Sequence, residues 1–294
     1  MARLQDRLPQ NVPGEFYVDS SCIDCDTCRW VAPSVFAGAD DIEQSYVHHQ
    51  PKTPEELQRA LMALVACPTA SIGTVSKLNP TPAIAAFPEE IAPGVHYCGY
   101  ASEDSFGASS YLLTRPSGNV LVDSPRAAAP LVKNIEALGG VSLMFLTHRD
   151  DVADHQKFAD TFSCKRVMHK ADIGRSTAGI EWPIEGADAV ALDHELTVIP
   201  VPGHTRGSSV LLFKDEYLFT GDHLWYAPSR NGLGASYRAC WYSWPEQIKS
   251  MERLLDHRFR WVLPGHGRRW EAPSHEVMQA ELERLIAWMK AVGR

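Results

Sequence analysis

The stretch Leu143-Met144-Phe145-Leu146-Thr147-His148-Arg149-Asp150-Asp151-Val152-Ala153-Asp154-His155 constrains this chain more than any other. Its apolar run predicts a buried strand over residues 141–147, and five side chains able to hold a metal follow within eight positions. Gathering so many imidazoles and carboxylates is costly unless a cation compensates them, so the stretch reads as part of a metal site. The simpler alternative is that Asp150 caps a helix beginning at Asp151 and the other groups face solvent.

Three more predicted strand ends carry the same residue types. Val201-Pro202-Gly203-His204-Thr205-Arg206-Gly207-Ser208 sets His204 in a tight turn, Phe219-Thr220-Gly221-Asp222 does the same for Asp222, and Val262-Leu263-Pro264-Gly265-His266-Gly267 for His266. Each glycine lets the backbone turn sharply enough to aim the next side chain into a shared cleft. Four strand ends that each bear a ligand are better explained by one metal site than by four unrelated loops.

Between these ends, strands and helices alternate. Strands are expected at 111–114, 119–123, 166–169, 196–201, 209–213, 217–220 and 260–263, with helices at 127–138, 247–257 and 276–292. In the last helix Met278, Leu282, Leu285, Met289 and Val292 form an apolar stripe. Strands with helices outside them imply a layered α/β domain. At 294 residues and 45% hydrophobic content, the chain has ample core for one large or two unequal domains.

A second site lies near the N-terminus. Cys22-Ile23-Asp24-Cys25-Asp26-Thr27-Cys28 offers three thiolates at every third position, and the distant Cys67-Pro68 supplies a fourth. That spacing suits one iron-sulfur cube better than a zinc knuckle. Thr53-Pro54-Glu55-Glu56 opens a helix with a capping box, Leu57, Leu61 and Leu64 mark its expected buried stripe, and the helix returns Cys67 to the other cysteines. These residues resemble the bacterial-type ferredoxins over about residues 1–78, which implies a single 4Fe-4S cluster in a small α+β domain. The cluster either passes electrons or staples a domain with little core of its own. Asp24, Asp26, Asp40, Asp41 and Glu43 suit steering to a charged partner. Pro80, Pro82, Pro88 and Pro93 mark residues 79–93 as an extended linker, leaving 94–294 as the second domain.

The second domain resembles the metallo-β-lactamase-fold superfamily, in its glyoxalase II-like branch. The resemblance is carried by Thr147-His148, Asp154-His155, Gly203-His204-Thr205-Arg206-Gly207-Ser208, Phe219-Thr220-Gly221-Asp222 and Gly265-His266. It implies an αββα sandwich and a metallohydrolase with one or two divalent ions, zinc, iron or manganese. His148 and His204 would hold the first metal and Asp154, His155 and His266 the second, with Asp222 bridging and Asp154 and Asp222 acting catalytically. The family pattern His-x-His-x-Asp-His is altered here, because Asp150 takes the second His position and two extra residues precede Asp154, which leaves open whether Asp150, Asp151 or neither is a ligand. A carboxylate is harder than imidazole and moves the preference from zinc toward iron or manganese.

Hydrolysis of a small ester or thioester is the leading expectation. The alternative is an iron-dependent oxidoreductase, flavodiiron- or dioxygenase-like, fed through the cluster by an external electron donor. The aromatic-rich segment after Asp222 points to a small-molecule substrate with an anionic end, with Trp225, Tyr226, Arg230 and Arg238 as its contacts. A net charge of −8 argues against nucleic acid, and no apolar run approaches the roughly 18 to 20 residues of a membrane span. With no apolar targeting core in Met1-Ala2-Arg3-Leu4-Gln5-Asp6-Arg7, and seven cysteines clustered toward the N-terminus, a reducing, cytoplasmic location is expected.

Overall fold

The computed structural model describes residues 1–39 and 43–292. The chain divides into two compact units, one of residues 1–142 and 153–163, the other of 143–152 and 164–294. Among the described residues no helix is long and apolar enough to cross a membrane.

In the first unit Phe16–Val18 pairs antiparallel with Ile72–Thr74, and Phe36–Ala39 with Gln44–Val47. The helix Pro54–Ala66 carries the expected capping box, with Thr53 accepting from the Glu56 N–H while Glu56 accepts from the Thr53 N–H. Its buried face differs from the leucine stripe expected. Ala60, Leu61, Met62, Ala63, Val65 and Ala66 are buried, whereas Leu57 is exposed. Alanines let the helix lie close to its neighbours, so its burial follows the small residues rather than the largest ones.

The expected linker over 79–93 is corrected. Thr81–Ala85 is a helix with Pro82 in its first turn, where a missing N–H costs nothing, and Glu89–Ala92 is a strand. That strand begins an antiparallel meander with Val95–Tyr97, Tyr111–Leu113 and Val120–Val122. The first compact unit therefore continues through this meander and the helix Ala129–Ala137 instead of ending near residue 78.

The second unit holds three parallel strands, Leu143–Phe145, Lys165–His169 and Trp182–Ile184. It also holds a six-stranded sheet in the order Val190–Ala191, Leu196–Pro200, Ser209–Phe213, Tyr217–Gly221, Trp261–Pro264 and Trp270–Glu271. The six strands run antiparallel except for the Tyr217–Gly221 and Trp261–Pro264 pair. The helices Trp244–Arg253 and His275–Val292 join this sheet's core through Met251, Met278, Leu282, Leu285 and Met289, while Val292 at the end of the expected stripe is exposed.

The buried Arg166 is held by Glu181, which accepts from its backbone N, Nε and Nη2 at 2.8, 3.0 and 2.6 Å. This pairing holds the Glu181 carboxyl down at about 2, against 4.5 for an ordinary glutamate. A depressed carboxylate contributes stability above its unfolded pKa and loses that contribution as pH falls toward the folded value. Glu181→Gln is therefore expected to cost about 1 kcal/mol near neutral pH, a figure kept small because the pair is partly solvent-screened. The difference should shrink between pH 4.5 and 2. Urea midpoints measured across that range check it, and a difference independent of pH would refute it.

Candidate metal centre and cluster site

The second unit brings the ends of its strands together. His148 follows Leu143–Phe145, His204 lies in the turn between Leu196–Pro200 and Ser209–Phe213, Asp222 follows Tyr217–Gly221, and His266 follows Trp261–Pro264. Backbone hydrogen bonds hold these ends in register: Ser209 N to Thr147 O at 2.9 Å, Gly265 N to Gly221 O at 2.9 Å, and Val201 N to Ser208 O at 2.8 Å.

Two sets of donors converge, His148 with Asp150 and His204, and His148 with Asp151 and Asp222. The His204 Nε2 lies 3.4 Å from Asp150 Oδ2 and 3.6 Å from Asp222 Oδ2. The His148 Nε2 lies 3.8 Å from Asp222 Oδ2 and 3.9 Å from Asp151 Oδ2. His266 Nε2 completes the group, 3.8 Å from Asp151 Oδ1 and 4.0 Å from Asp222 Oδ2. Most of these separations exceed hydrogen-bond length, yet they approach the roughly 3.3 Å edge of a tetrahedron built on metal–ligand bonds of about 2.0–2.1 Å. His148 Nε2, His204 Nε2, Asp151 Oδ2 and Asp222 Oδ1 are buried without a hydrogen-bond partner. Buried polar atoms in that condition are costly, and a cation among them removes the cost, so this donor set fits a metal.

The surroundings aim the imidazoles. His204 Nδ1 contacts Ala239 O at 2.5 Å and His148 Nδ1 contacts Thr147 Oγ1 at 3.0 Å, which leaves each Nε2 directed inward. Burial pulls the His204 pKa down, but Asp150 and Asp222 beside it reverse the balance and the net shift is upward. The His204 ring in turn holds the Asp150 carboxyl below its usual range. Glycine is required at two positions. A Cβ on Gly265 would sit 2.6 Å from Asp151 Oδ2, and one on Gly221, at φ +47°, would sit 2.5 Å from Thr147 Oγ1.

Several expectations change. Asp151 is the carboxylate beside His148 and His266, the place expected for Asp154. Asp154 has other partners, since its Oδ2 accepts from the Ala127 N–H at 2.8 Å and its Oδ1 pairs with Lys157 at 2.8 Å. With two extra residues in this loop, the carboxylate that meets the two imidazoles comes from Asp151. His155 is buried as the first residue of the helix His155–Phe162. The Arg230 guanidinium stacks on Trp288 at 3.9 Å. Tyr226 stacks on Trp270 and donates to Asn231 Oδ1, and Trp225 packs against Gly267. Arg238 is exposed, and Trp241, 63% exposed, sets its ring 6.2 Å from that of His204.

Asp172 is a positioning residue that the sequence did not single out. Buried after the strand Lys165–His169, it accepts from Gly207 N at 2.7 Å, Thr205 Oγ1 at 2.5 Å and Arg149 N at 3.2 Å. One carboxylate thus braces both the loop that carries His148 and the turn that carries His204.

In the first unit the cysteine loop alternates left-handed residues, Asp24 at φ 60° and Asp26 at φ 65°, a conformation aspartate tolerates better than most side chains. Arg29 pins both, pairing with Asp26 at 2.5 Å and Asp24 at 2.9 Å, so one guanidinium offsets part of the charge of these two acids. Asp40 and Asp41 lie outside the described residues. Burial pushes the Cys25 thiol up to about 11, with the Cys67 and Cys22 sulfurs adding to the shift. Ser45 N donates to Cys22 Sγ at 3.4 Å and Ser71 N to Cys67 Sγ at 3.3 Å. Amide N–H groups directed at sulfur favour thiolates, and this donor set fits an iron-sulfur cluster. Gly107 closes over the loop, where a Cβ would lie 2.5 Å from that of Cys25.

The cysteine-bearing segment and the fold both have counterparts among known proteins. Residues 18–74 match the family model described as the 4Fe-4S single cluster domain of Ferredoxin I. The β-lactamase-like protein 2 homolog of Drosophila melanogaster is 27% identical over 192 residues, 58% of this chain and 62% of that relative, so the match spans less than two thirds of the relative's length. Among solved structures, the DIM-1 metallo-β-lactamase superposes with a TM-score of 0.51 at 16% identity, over 67% of this chain and 96% of its own. A metallo-β-lactamase family protein of Thermus thermophilus does so with a TM-score of 0.50 at 19% identity, over 69% of this chain and 81% of its own. The chain thus combines a 4Fe-4S ferredoxin-type segment with the metallo-β-lactamase fold, the α/β sandwich expected from the sequence.

Proposed function

We propose that this chain is a metal-dependent hydrolase that opens a small ester- or thioester-type bond and carries a 4Fe-4S cluster on Cys22, Cys25, Cys28 and Cys67. His148, Asp150 and His204 would hold one divalent cation and Asp151 and His266 a second, with Asp222 shared. The observation that carries this reading is the set of buried, partnerless ligand atoms His148 Nε2, His204 Nε2 and Asp151 Oδ2, together with Asp222, whose Oδ2 lies 3.8 and 3.6 Å from the two imidazoles. Divalent cations in such a site supply Lewis acidity and bring the pKa of a water toward neutrality.

The chain's own residues prepare that chemistry. Asp150 and Asp151 stay ionised because imidazoles face them, so both remain available as ligands at neutral pH. The Nδ1 contacts of His148 and His204 fix ring orientation before any substrate arrives. Asp151 is buried while the Asp150 side chain is 45% exposed, which supports substrate entry from the Asp150 side.

Metal analysis of anaerobically purified protein, joined to thioester hydrolysis before and after chelation, tests the reading. Divalent metal beyond the cluster iron, with hydrolysis lost on chelation and restored by metal, is the expected result. Hydrolysis that survives complete removal of the metal would sink it. Three carboxylates facing three imidazoles make a harder donor set than an all-histidine one, and this favours iron enough to keep an oxidoreductase reading in the test. Iron in this site that dithionite reduces together with the cluster, followed by electron paramagnetic resonance, would replace hydrolysis with electron transfer.

A further inference from the structure

We infer that the cleft beside Asp150 holds the anionic end of the substrate, with Arg149 and Arg175 as its anchors. The inference rests on the hydrolase reading for its orientation and adds to it the substrate's charge and the residues that select it. The cleft, about 590 Å³, is lined by Arg149, Asp150, Asp172, Gly174, Arg175 and Ser176. Asp150 belongs both to this wall and to the metal centre, where its Oδ2 lies 3.4 Å from His204 Nε2, so a ligand in the cleft lies alongside the ligand set.

The two guanidiniums are available. The nearest carboxylate to Arg149 is its neighbour Asp150, with Nε 3.9 Å from Oδ1, too far for a hydrogen bond. Arg175 is exposed and makes no ion pair among the described residues. Both acids in the wall keep their charge, and both are held by other groups. Asp150 is engaged with His204, and the Asp172 oxygens are taken up by Gly207 N, Thr205 Oγ1 and Arg149 N.

Both arginines also stand on fixed backbone. The Arg149 N–H is held by Asp172, and the turn around Arg175 is tied by Gly174 N to Thr177 Oγ1 at 2.8 Å and by Thr177 Oγ1 to Asp172 O at 3.2 Å. No atom lies within 4 Å of where a Gly174 Cβ would stand, so the floor between the arginines is open. In a chain of net charge −8, the unpaired Arg175 guanidinium and that of Arg149, whose one ion pair is a long contact with Asp150, form a local site beside a candidate reaction centre for an oxyanion, a carboxylate or a phosphate.

The test compares mono-p-nitrophenyl succinate with p-nitrophenyl acetate, two esters that differ by a carboxymethyl group at the acyl end. For the unchanged protein kcat/KM should favour the succinate ester by about tenfold, the worth of one charge-assisted contact, and the preference should fall with added salt. In the Arg149→Gln/Arg175→Gln double variant the ratio should fall to near unity, with KM carrying the change. A ratio that survives the double substitution, or a preference for the acetate ester in the unchanged protein, overturns the anion site.

If neither ester is cleaved, the hydrolase reading fails by itself and binding decides the site. Succinate and inorganic phosphate are then titrated calorimetrically into metal-loaded protein. A Kd about tenfold weaker in the double variant upholds the site, and the tighter of the two ligands identifies the oxyanion. Equal Kd values in both proteins overturn it.

Discussion

Asp151→Ala is expected to lower hydrolytic turnover by at least about a thousandfold, whereas Asp154→Ala should stay within about tenfold of the unchanged protein. The first figure corresponds to about 4 kcal/mol of transition-state stabilisation, the scale on which a divalent cation acts as Lewis acid. Asp151 is buried, faces His148 and His266, and has an oxygen with no hydrogen-bond partner. Truncating it removes the carboxylate that joins those two imidazoles, so the variant should also lose one divalent ion per chain. Asp154 instead accepts from Ala127 N and pairs with a largely exposed Lys157. Its removal should cost about 1 kcal/mol of stability and no divalent metal beyond the cluster iron. Metal content and turnover measured on both variants separate the two carboxylates. A metal-replete Asp151→Ala beside a metal-depleted Asp154→Ala would return the site to the spacing expected from sequence.

The contrast between those two aspartates shows how far a sequence carries a metal site. His148, His204, Asp222 and His266 are legible because each stands just past a strand, and three of them follow a glycine whose missing side chain opens the turn. Gly265 and Gly221 are required by close contacts, at Asp151 Oδ2 and at Thr147 Oγ1, and the sequence marks such positions plainly. A loop with two extra residues has no such marker. Which of Asp150, Asp151 and Asp154 turns inward depends on where His266 and Asp222 stand, and those residues arrive from far along the chain. Asp172 escaped notice for the same reason, because its partners Gly207 and Thr205 lie 35 and 33 residues away. The contact between Arg230 and Trp288 likewise joins residues far apart in the chain. Pro80 and Pro82 resembled a linker because proline is equally at home in an extended path and at the start of a helix. Local chemistry was readable throughout, and the errors arose where two distant segments had to meet.

Cys28→Ala is expected to abolish the dithionite-bleachable visible absorbance of the cluster and to lower the thermal midpoint by on the order of 10 °C. The reason lies in how little else holds the loop. The helix that begins at Thr27 has only five residues, well below the length at which a helix persists unaided, and the neighbouring strands have three or four. Cys28 is buried, and burial, with the Cys25, Cys22 and Cys67 sulfurs adding to it, pushes its thiol well above the ordinary value, so the site strongly disfavours a free thiolate. A cluster would convert that liability into iron–sulfur bonds supported by N–H donors such as Ser45 and Ser71. Losing one ligand should therefore release the iron and leave the remaining thiols facing one another without compensation. Gly107→Val should act from the opposite side, because its side chain would occupy the space of the Cys25 Cβ. Full cluster content in Cys28→Ala, with an unchanged thermal midpoint, would mean that another residue completes the cluster. Loss of the cluster with no loss of stability would mean that it serves electron transfer alone and contributes nothing to the fold.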